Sequence, residues 1–468
     1  MPRERRGGGA VNLNCDSNAL AAPAAKSSLP RLALLGAVSA ALVLATPFAF
    51  WHGGDNTYMV FAIATGLAAA AATGVAERCP TRQALWLIVT VAIALRIVAL
   101  AIPPFLSTDI FRYVWDGKVQ AAGFNPYRYV PADAALAALR DGTIYPDINR
   151  ADYAVTIYPP VAEMFFFLVT RLGADVITMK LAMVACEGAI VGAIVLLLRR
   201  LGRPVTRIVA WAWHPLPIWE IAGNGHIDAL MTALMMAGLC AALFGRGLRG
   251  AVAIALGALA KPFAVVVLPA VWRPWDWKAP AAVVVVVALC YAPYLSVGRG
   301  VLGFLTRGYL GEEKIASGDY LWPLAAWRWI VGTLPGDVLV YVAITAVAVA
   351  ALALRSAFRR SASLQQKLAE INTLLLTFLL LLSPNYPWYF LMVTPFTALV
   401  GGAPVWTLTI GAVLLQEEAW WDPFVPVLVR KSLHGGAFLL ACAYTVWRAR
   451  RARDAARLEE AKHERGAR

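Results

Sequence analysis

Charge is scarce in this chain. Only 15% of its 468 residues are charged and 60% are hydrophobic, with a mean hydropathy of +0.63. A soluble domain lies nearer 45–50% apolar, so a water-soluble globular fold is excluded. Cysteine is also sparse. Cys15, Cys79, Cys186, Cys240, Cys290 and Cys442 are far apart, with no C-x-x-C pair and no metal-ligand spacing. Neither disulfides nor a structural metal is expected, and most of these thiols fall in apolar segments, where Cys behaves as a small hydrophobe. Gly7-Gly8-Gly9 lacks the strand and helix context of a phosphate loop, and no Walker-type lysine follows it. No nucleotide cofactor is expected. The first thirty residues have no apolar h-region and so do not read as a cleavable signal peptide. Val11-Asn12-Leu13-Asn14-Cys15 resembles a lipidation site only superficially, because no apolar segment precedes it.

What the chain has is a series of apolar segments of the length a bilayer core requires, roughly 17–25 residues. The formal charge of +14 does not indicate nucleic acid as a partner. Its arginines cluster beside the apolar segments, at Arg199, Arg200, Arg203 and Arg207, at Arg246 and Arg249, at Arg355, Arg359 and Arg360, and from Arg448 to Arg453. The positive-inside rule accounts for each cluster.

With these clusters inside, both termini are cytoplasmic. The expected fold is an all-α polytopic integral membrane protein with about 12 crossings. Residues 1–30 form a disordered cytoplasmic tail, 31–447 the membrane domain, and 448–468 a basic cytoplasmic tail. The spans are Leu32–Phe50, Tyr58–Val75, Ala84–Pro103, Ile177–Leu198, Ile208–Ala222, Ala229–Phe244, Pro280–Val297, Val338–Leu354, Ile371–Leu382, Trp388–Val400, Pro404–Leu415 and Leu433–Trp447. Val161–Leu172 is too short to cross, and Ala251–Trp272 is interrupted by Lys261-Pro262, so both read as re-entrant or broken helices. Residues 104–158 then form a large external loop, and 223–228, 298–336, 383–387 and 417–430 smaller ones.

Four polar and aromatic groups gather on that external face. The first is Asp109, Arg112, Tyr113, Trp115 and Asp116, continuing to Gly123-Phe124-Asn125-Pro126-Tyr127. The second is Ile157-Tyr158-Pro159-Pro160. The third runs from Trp213-His214-Pro215 and Glu220 to Gly223-Asn224-Gly225-His226-Ile227-Asp228. The fourth is Ser383-Pro384-Asn385-Tyr386-Pro387-Trp388-Tyr389. A carboxylate such as Asp109 can act as general base toward a sugar hydroxyl; it can also simply cap a helix, as Ser107, Thr108 and Asp109 are all capping types. Arg112, one helical turn on, suits a carboxylate or phosphate. Tyr113 and Trp115 offer faces on which sugars stack. His226 and Asp228 provide two metal-type ligands without a third, and read equally as a polar turn starting a helix. Lys261 is either a buried phosphate ligand or a snorkelling lysine. Trp388 and Tyr389 also fit an interfacial aromatic belt.

Asp-Ile-Phe-Arg-Tyr-Val-Trp-Asp-Gly (109–117), Gly-Phe-Asn-Pro-Tyr (123–127), Ile-Tyr-Pro-Pro (157–160), Gly-Asn-Gly-His-Ile-Asp (223–228), Ala-Lys-Pro (260–262) and Ser-Pro-Asn-Tyr-Pro-Trp-Tyr (383–389) occur in this order. Over about residues 85–400 the chain resembles GT-C superfamily glycosyltransferases, especially the bacterial branch similar to mycobacterial polyprenol-phosphomannose-dependent α-mannopyranosyltransferases. The resemblance implies a helical membrane enzyme of the bacterial inner membrane with its site facing the exterior. It implies a polyprenyl-phosphate sugar as donor, a glycan or lipid acceptor, transfer with inversion, and an acidic base at the position of Asp109. Thr108 stands where many relatives carry a second acid. Arg112, Tyr113, Trp115, Asp116, Tyr158, Asn224, His226, Asp228, Lys261, Trp388 and Tyr389 are the candidate binding residues, with Arg112 and His226 foremost for the departing phosphate. The alternative from another class is a transporter or flippase for a lipid-linked saccharide, since broken helices also occur in transporters; no inverted repeat supports it. A lipid-modifying acyltransferase would need a dominant Ser-His or His-Asp pair, which is not evident.

Overall fold

In a computed structural model, residues 22–306, 308–359, 361, 363–416 and 426–466 are described, and they are helical with no strand. Cys15 and most of the expected N-terminal tail lie outside the described residues, as does most of the 417–430 loop. The described α-helices of nine or more residues are α1 (Ser28–His52), α2 (Thr57–Ala76), α3 (Thr81–Ala101), α4 (Asp109–Ala121), α5 (Pro160–Thr170), α6 (Val176–Arg200), α7 (Asp228–Leu243), α8 (Gly247–Ala260), α9 (Lys278–Tyr291), α10 (Trp322–Val331), α11 (Asp337–Phe358), α12 (Leu364–Leu382), α13 (Ala403–Gly411) and α14 (Val427–Gly466).

Six of the described helices are long and apolar enough to cross a membrane: α1, α2, α3, α6, the run Lys278–Phe304 that begins with α9, and α11. A seventh is added if Pro217–Gly223 and α7, bent by 116°, form one span. The expectation was about twelve. Part of the difference lies in two segments whose composition suits a span but whose backbone does not run straight. Ile208–Ala222 divides into Val209–Ala212, a break at Trp213-His214, and the π-helical turn Pro217–Gly223 that follows it. Trp388–Val400 divides into the turns Pro387–Met392 and Pro395–Leu399. Beyond Arg448, in the stretch read as a basic tail, α14 continues to Gly466.

Prolines set most of the breaks. A residue before proline is driven toward extended backbone, and Lys261 (φ −153°, ψ 131°) and Tyr386 (φ −131°, ψ 150°) are both extended. Pro159 likewise precedes Pro160, the first residue of α5. These breaks leave Tyr158, Lys261 and Tyr386 just outside helix ends. Ala251–Trp272 is thus a broken element, as its Lys261-Pro262 pair suggests. α8 runs antiparallel beside α7 and ends at Lys261, and the turns Pro262–Val267 and Leu268–Val271 follow.

Within the bundle, Arg96 of α3 and Glu187 of α6 form a buried ion pair (Nη2–Oε1 2.6 Å). Trp211 Nε1 donates to the same carboxylate (2.9 Å), and Arg96 also donates to the Ala212 carbonyl. A charge at such depth requires partners of this kind, and here they tie three elements together. At the end marked by the basic turn 199–207, Arg203 and Arg207 donate to the carbonyls of Leu399 and Ala398. They thereby satisfy the open C-terminus of Pro395–Leu399.

The 104–158 segment is compact. Lys118 pairs with Asp141, whose carboxylate also accepts the backbone N–H groups of Thr143 and Ile144 (2.8 and 2.6 Å). Burial works against that charge, but the lysine and the two N–H groups outweigh it and hold the carboxyl well below the usual range. Arg140 lies over the Tyr145 ring at 5.0 Å. Gly117 allows α4 and α5 to touch, since a Cβ there would lie 2.5 Å from the Phe166 carbonyl oxygen.

Candidate functional site

Asp109 opens α4. Its N–H donates to Ser107 Oγ (3.2 Å), and its half-buried carboxylate accepts from Asn149 Nδ2 at 2.7 Å. The N-cap is Thr108, whose side chain makes no cap bond, so the Asp109 side chain is not used as a cap. Beside Asn149 stands Arg150, with a left-handed backbone (φ 55°) uncommon outside glycine. Its Nε donates to Glu312 Oε2 (2.6 Å), and its guanidinium lies over the Tyr309 ring at 5.6 Å. Asp109 lies within electrostatic range of Arg150, Tyr158 and Tyr309.

The other members of the first group serve the interior. The Tyr113 ring stacks on Phe166 (4.6 Å, 8°) and meets Tyr158 edge-on at 5.0 Å. Trp115 is buried against Tyr145 (5.5 Å) with Lys118 above it. Both aromatics, read from the sequence as sugar-stacking faces, are only 1% exposed because α5 and the loop turns cover them. Arg112 is captured by Asp116, one turn along the same helix face (2.9 Å), and donates to the Ala154 carbonyl (3.1 Å). Asp116 in turn faces Glu163 of α5, itself bonded to Thr156 (2.5 Å) and Gln120 (2.9 Å). Arg112 and Asp116 thus secure α4 to α5 and the loop rather than line an open edge.

The turn Gly223–Asp228 reaches the same place. Gly225 (φ 69°) packs so closely that a Cβ would lie 2.5 Å from Ile110 Cδ1 of α4. Asn224 is wholly buried; its Oδ1 accepts the N–H groups of Phe105 and Leu106 (3.1 and 2.9 Å), fixing where the large loop leaves α3. His226 stacks on Trp388 (centroids 4.1 Å apart, 24°). Its Nδ1 is 3.0 Å from Glu220 Oε2, at an angle that makes no hydrogen bond. Asp228 Oδ2 accepts from Lys261 Nζ at 2.7 Å, and that ammonium lies 4.1 Å from the centroid of the Tyr389 ring. Tyr389 and Tyr309 hydroxyls are 3.0 Å apart. Asp228 Oδ1, both His226 nitrogens and both Glu220 oxygens are buried without a hydrogen-bond partner. Native interiors rarely leave such groups unsatisfied, and here five are found on three residues.

Residues of five sequence motifs (109–117, 157–160, 223–228, 260–262 and 383–389) are thus linked by contacts, and Lys261, ambiguous from sequence, is among them. Residues 32–276 match the family described as alpha-(1->6)-mannopyranosyltransferase, N-terminal domain. The chain belongs to this alpha-(1->6)-mannopyranosyltransferase family. Neither a curated protein nor a solved structure matches it. As a member of the mannopyranosyltransferase family with several long apolar helices, it is an integral membrane glycosyltransferase.

In this mannosyltransferase, several residues of the cluster escaped the sequence reading. Asn149 and Arg150 sit in a loop with no motif around them, and the positive φ of Arg150 has no sequence signature. Glu312 and Glu313 come from the 298–336 segment, where they form an adjacent acid pair that could have drawn notice. Glu313 receives the Asn385 amide, and Asn385 Oδ1 accepts from Lys431 (2.5 Å), which also donates to the Ser383 carbonyl (2.7 Å). The fourth motif is thereby braced from behind. Burial pushes the Glu313 carboxyl above its usual range against the pull of Asn385 and Arg150.

Proposed function

We propose that this protein transfers mannose from a polyprenyl-phosphate donor to a hydroxyl of a glycan or lipid acceptor, at the exterior face of the bacterial inner membrane, with inversion. The observation that carries the reading is Asp109. Its carboxylate is half-exposed, is oriented by Asn149 at 2.7 Å and lies within electrostatic range of Arg150, while Lys261 is linked to it through Tyr389 and Tyr309.

Asp109 takes the proton of the acceptor hydroxyl as its oxygen bonds to the anomeric carbon. The carbon–oxygen bond to the lipid phosphate breaks on the opposite face, and polyprenyl phosphate leaves with the electron pair. We assign stabilisation of that charge to Arg150 and Lys261, each of which is held by a carboxylate and an aromatic ring. All three cations are paired, but the Arg112 side chain is only 5% exposed, against 22% for Arg150 and 14% for Lys261, which makes it the poorer candidate. His226, closed in by Trp388, positions the turn rather than the phosphate. No nucleotide enters the reaction.

The test is a membrane assay with synthetic polyprenyl-phosphate-mannose and a labelled sugar acceptor. Asp109→Asn keeps the shape and the Asn149 contact but cannot accept the proton, and transfer should fall by about 10²–10⁴-fold with donor binding retained. Undiminished transfer by the variant would exclude Asp109 as base. Translocation of the lipid-linked sugar without transfer would favour a flippase.

A further inference from the structure

A second site lies at the other end of the α7–α8 hairpin. Lys261 and Asp228 bring the hairpin ends together at the candidate site. α7 and α8, of 16 and 14 residues, then carry the chain about 20 Å away at 1.5 Å per residue. At that far end is a cavity of about 810 Å³. Its floor is apolar, made by Ala251, Leu268, Val271 and Pro280, with Leu354 of α11 closing one side. Its mouth is basic: Arg246, Arg249 and Arg273 line it, facing the single carboxylate Asp276.

Three observations point to its occupant. The first is unspent charge: the guanidinium groups of Arg246, Arg249 and Arg273 have no hydrogen-bond or ion-pair partner among the described residues. In a neighbouring cavity that shares Arg273, by contrast, Arg359 pairs with Glu370 and Lys367 with Ser356. The second is the aromatic rim. Trp272 and Trp277 line the mouth 6.1 Å apart, and Trp275 beside them is 74% exposed and meets Phe358. Tryptophans with one wet edge collect where a membrane meets water. The third is a lateral opening. Both flanking apolar helices, α9 and α11, are only 6% buried along their apolar windows, so the cavity sits between two surfaces suited to acyl chains.

The geometry points to a binding site for the phosphate headgroup of an anionic phospholipid, held by Arg246, Arg249 and Arg273, with its chains lying along α9 and α11. Paired guanidinium forks match phosphate oxygens, and basic pockets between helices at the cytoplasmic surface recognise anionic headgroups in this way. The site is separate from the glycosyl-transfer centre. It does not require the donor there to be a polyprenyl phosphate.

The test uses the full-length protein in phosphatidylcholine nanodiscs containing a minor fraction of phosphatidylglycerol, with retained lipid measured by native mass spectrometry. Wild type should hold phosphatidylglycerol in preference to phosphatidylcholine. Replacing all three arginines (R246Q, R249Q and R273Q) should weaken that retention by roughly fivefold per guanidinium, with an unchanged melting temperature in pure phosphatidylcholine. Leu354→Trp fills the cavity while keeping every charge, and should also displace the lipid. It decides the matter if the arginine variant folds poorly. The same charge change on α14 (R448Q, R450Q and R451Q) should leave retention intact. Equal retention by wild type and the cavity variants would overturn the proposal. So would an equal loss from the α14 variant, or displacement of the lipid by inorganic phosphate at comparable concentration.

Discussion

Arg150 shows what holds the candidate site together at the residue scale. A left-handed backbone costs a non-glycine residue about 1–2 kcal/mol, and such strain persists only where surrounding contacts enforce it. Here the contacts are the Glu312 carboxylate, the Tyr309 ring and the adjacent Asn149 that holds Asp109. Arg150→Lys keeps the charge but loses the planar fork. Transfer should fall at least about tenfold, one lost charge-assisted hydrogen bond being worth roughly 1.5–3 kcal/mol, and KM for the donor should rise. Steady-state kinetics at varied donor concentration check this, and an unchanged KM would mean that Arg150 does not meet the phosphate. Asp109 could be found from its motif because its companions are local in sequence. Arg150 could not, because its partners lie more than 150 residues away. Arg112 misled for a local reason: a carboxylate four residues on captures an arginine before any ligand can.

At the scale of elements, the breaks were more legible than the spans. Lys261-Pro262 announces a broken helix because proline removes a donor and pushes its predecessor out of helical backbone. The same logic was available for Pro215 and Pro217, and for Pro387 and Pro395, yet hydropathy weighs composition and cannot see a kinked path. Ile208–Ala222 and Trp388–Val400 therefore read as spans and fold as turns. Close helix contacts are likewise invisible until the partner is known. Gly117, taken from sequence only as the end of a motif, is where α5 rests on α4. Gly117→Ala sets a methyl against the Phe166 carbonyl oxygen and Thr170, and should cost about 1–3 kcal/mol through overpacking. A lower melting temperature of the purified protein, with residual transfer by the folded fraction, is the expected result; an unaltered melting temperature would mean that α5 can slide away at no cost.

At the scale of the whole molecule, charge sorts the two ends. The end bearing Arg199–Arg207, Arg246, Arg249 and Arg273 holds arginines that cap helix termini or line the basic cavity. The end bearing Asp109, Asp228 and Glu312–Glu313 is where carboxylates and aromatics meet. A polar cluster with several unpartnered buried atoms is expensive inside a bilayer and far less so at the mouth of a water-filled cleft. In the proposed function the acceptor arrives at the acidic end, which the positive-inside rule predicts to lie outside. The orientation can be checked with single cysteines in a background lacking the natural ones. Ala134→Cys lies exposed on the large loop, and Trp275→Cys on the rim of the basic cavity. In intact cells a membrane-impermeant maleimide should label the first and spare the second, and permeabilisation should expose both. Labelling of Trp275→Cys alone in intact cells would invert the molecule and place Asp109 on the cytoplasmic side, where a polyprenyl-phosphate donor presented outside could not reach it.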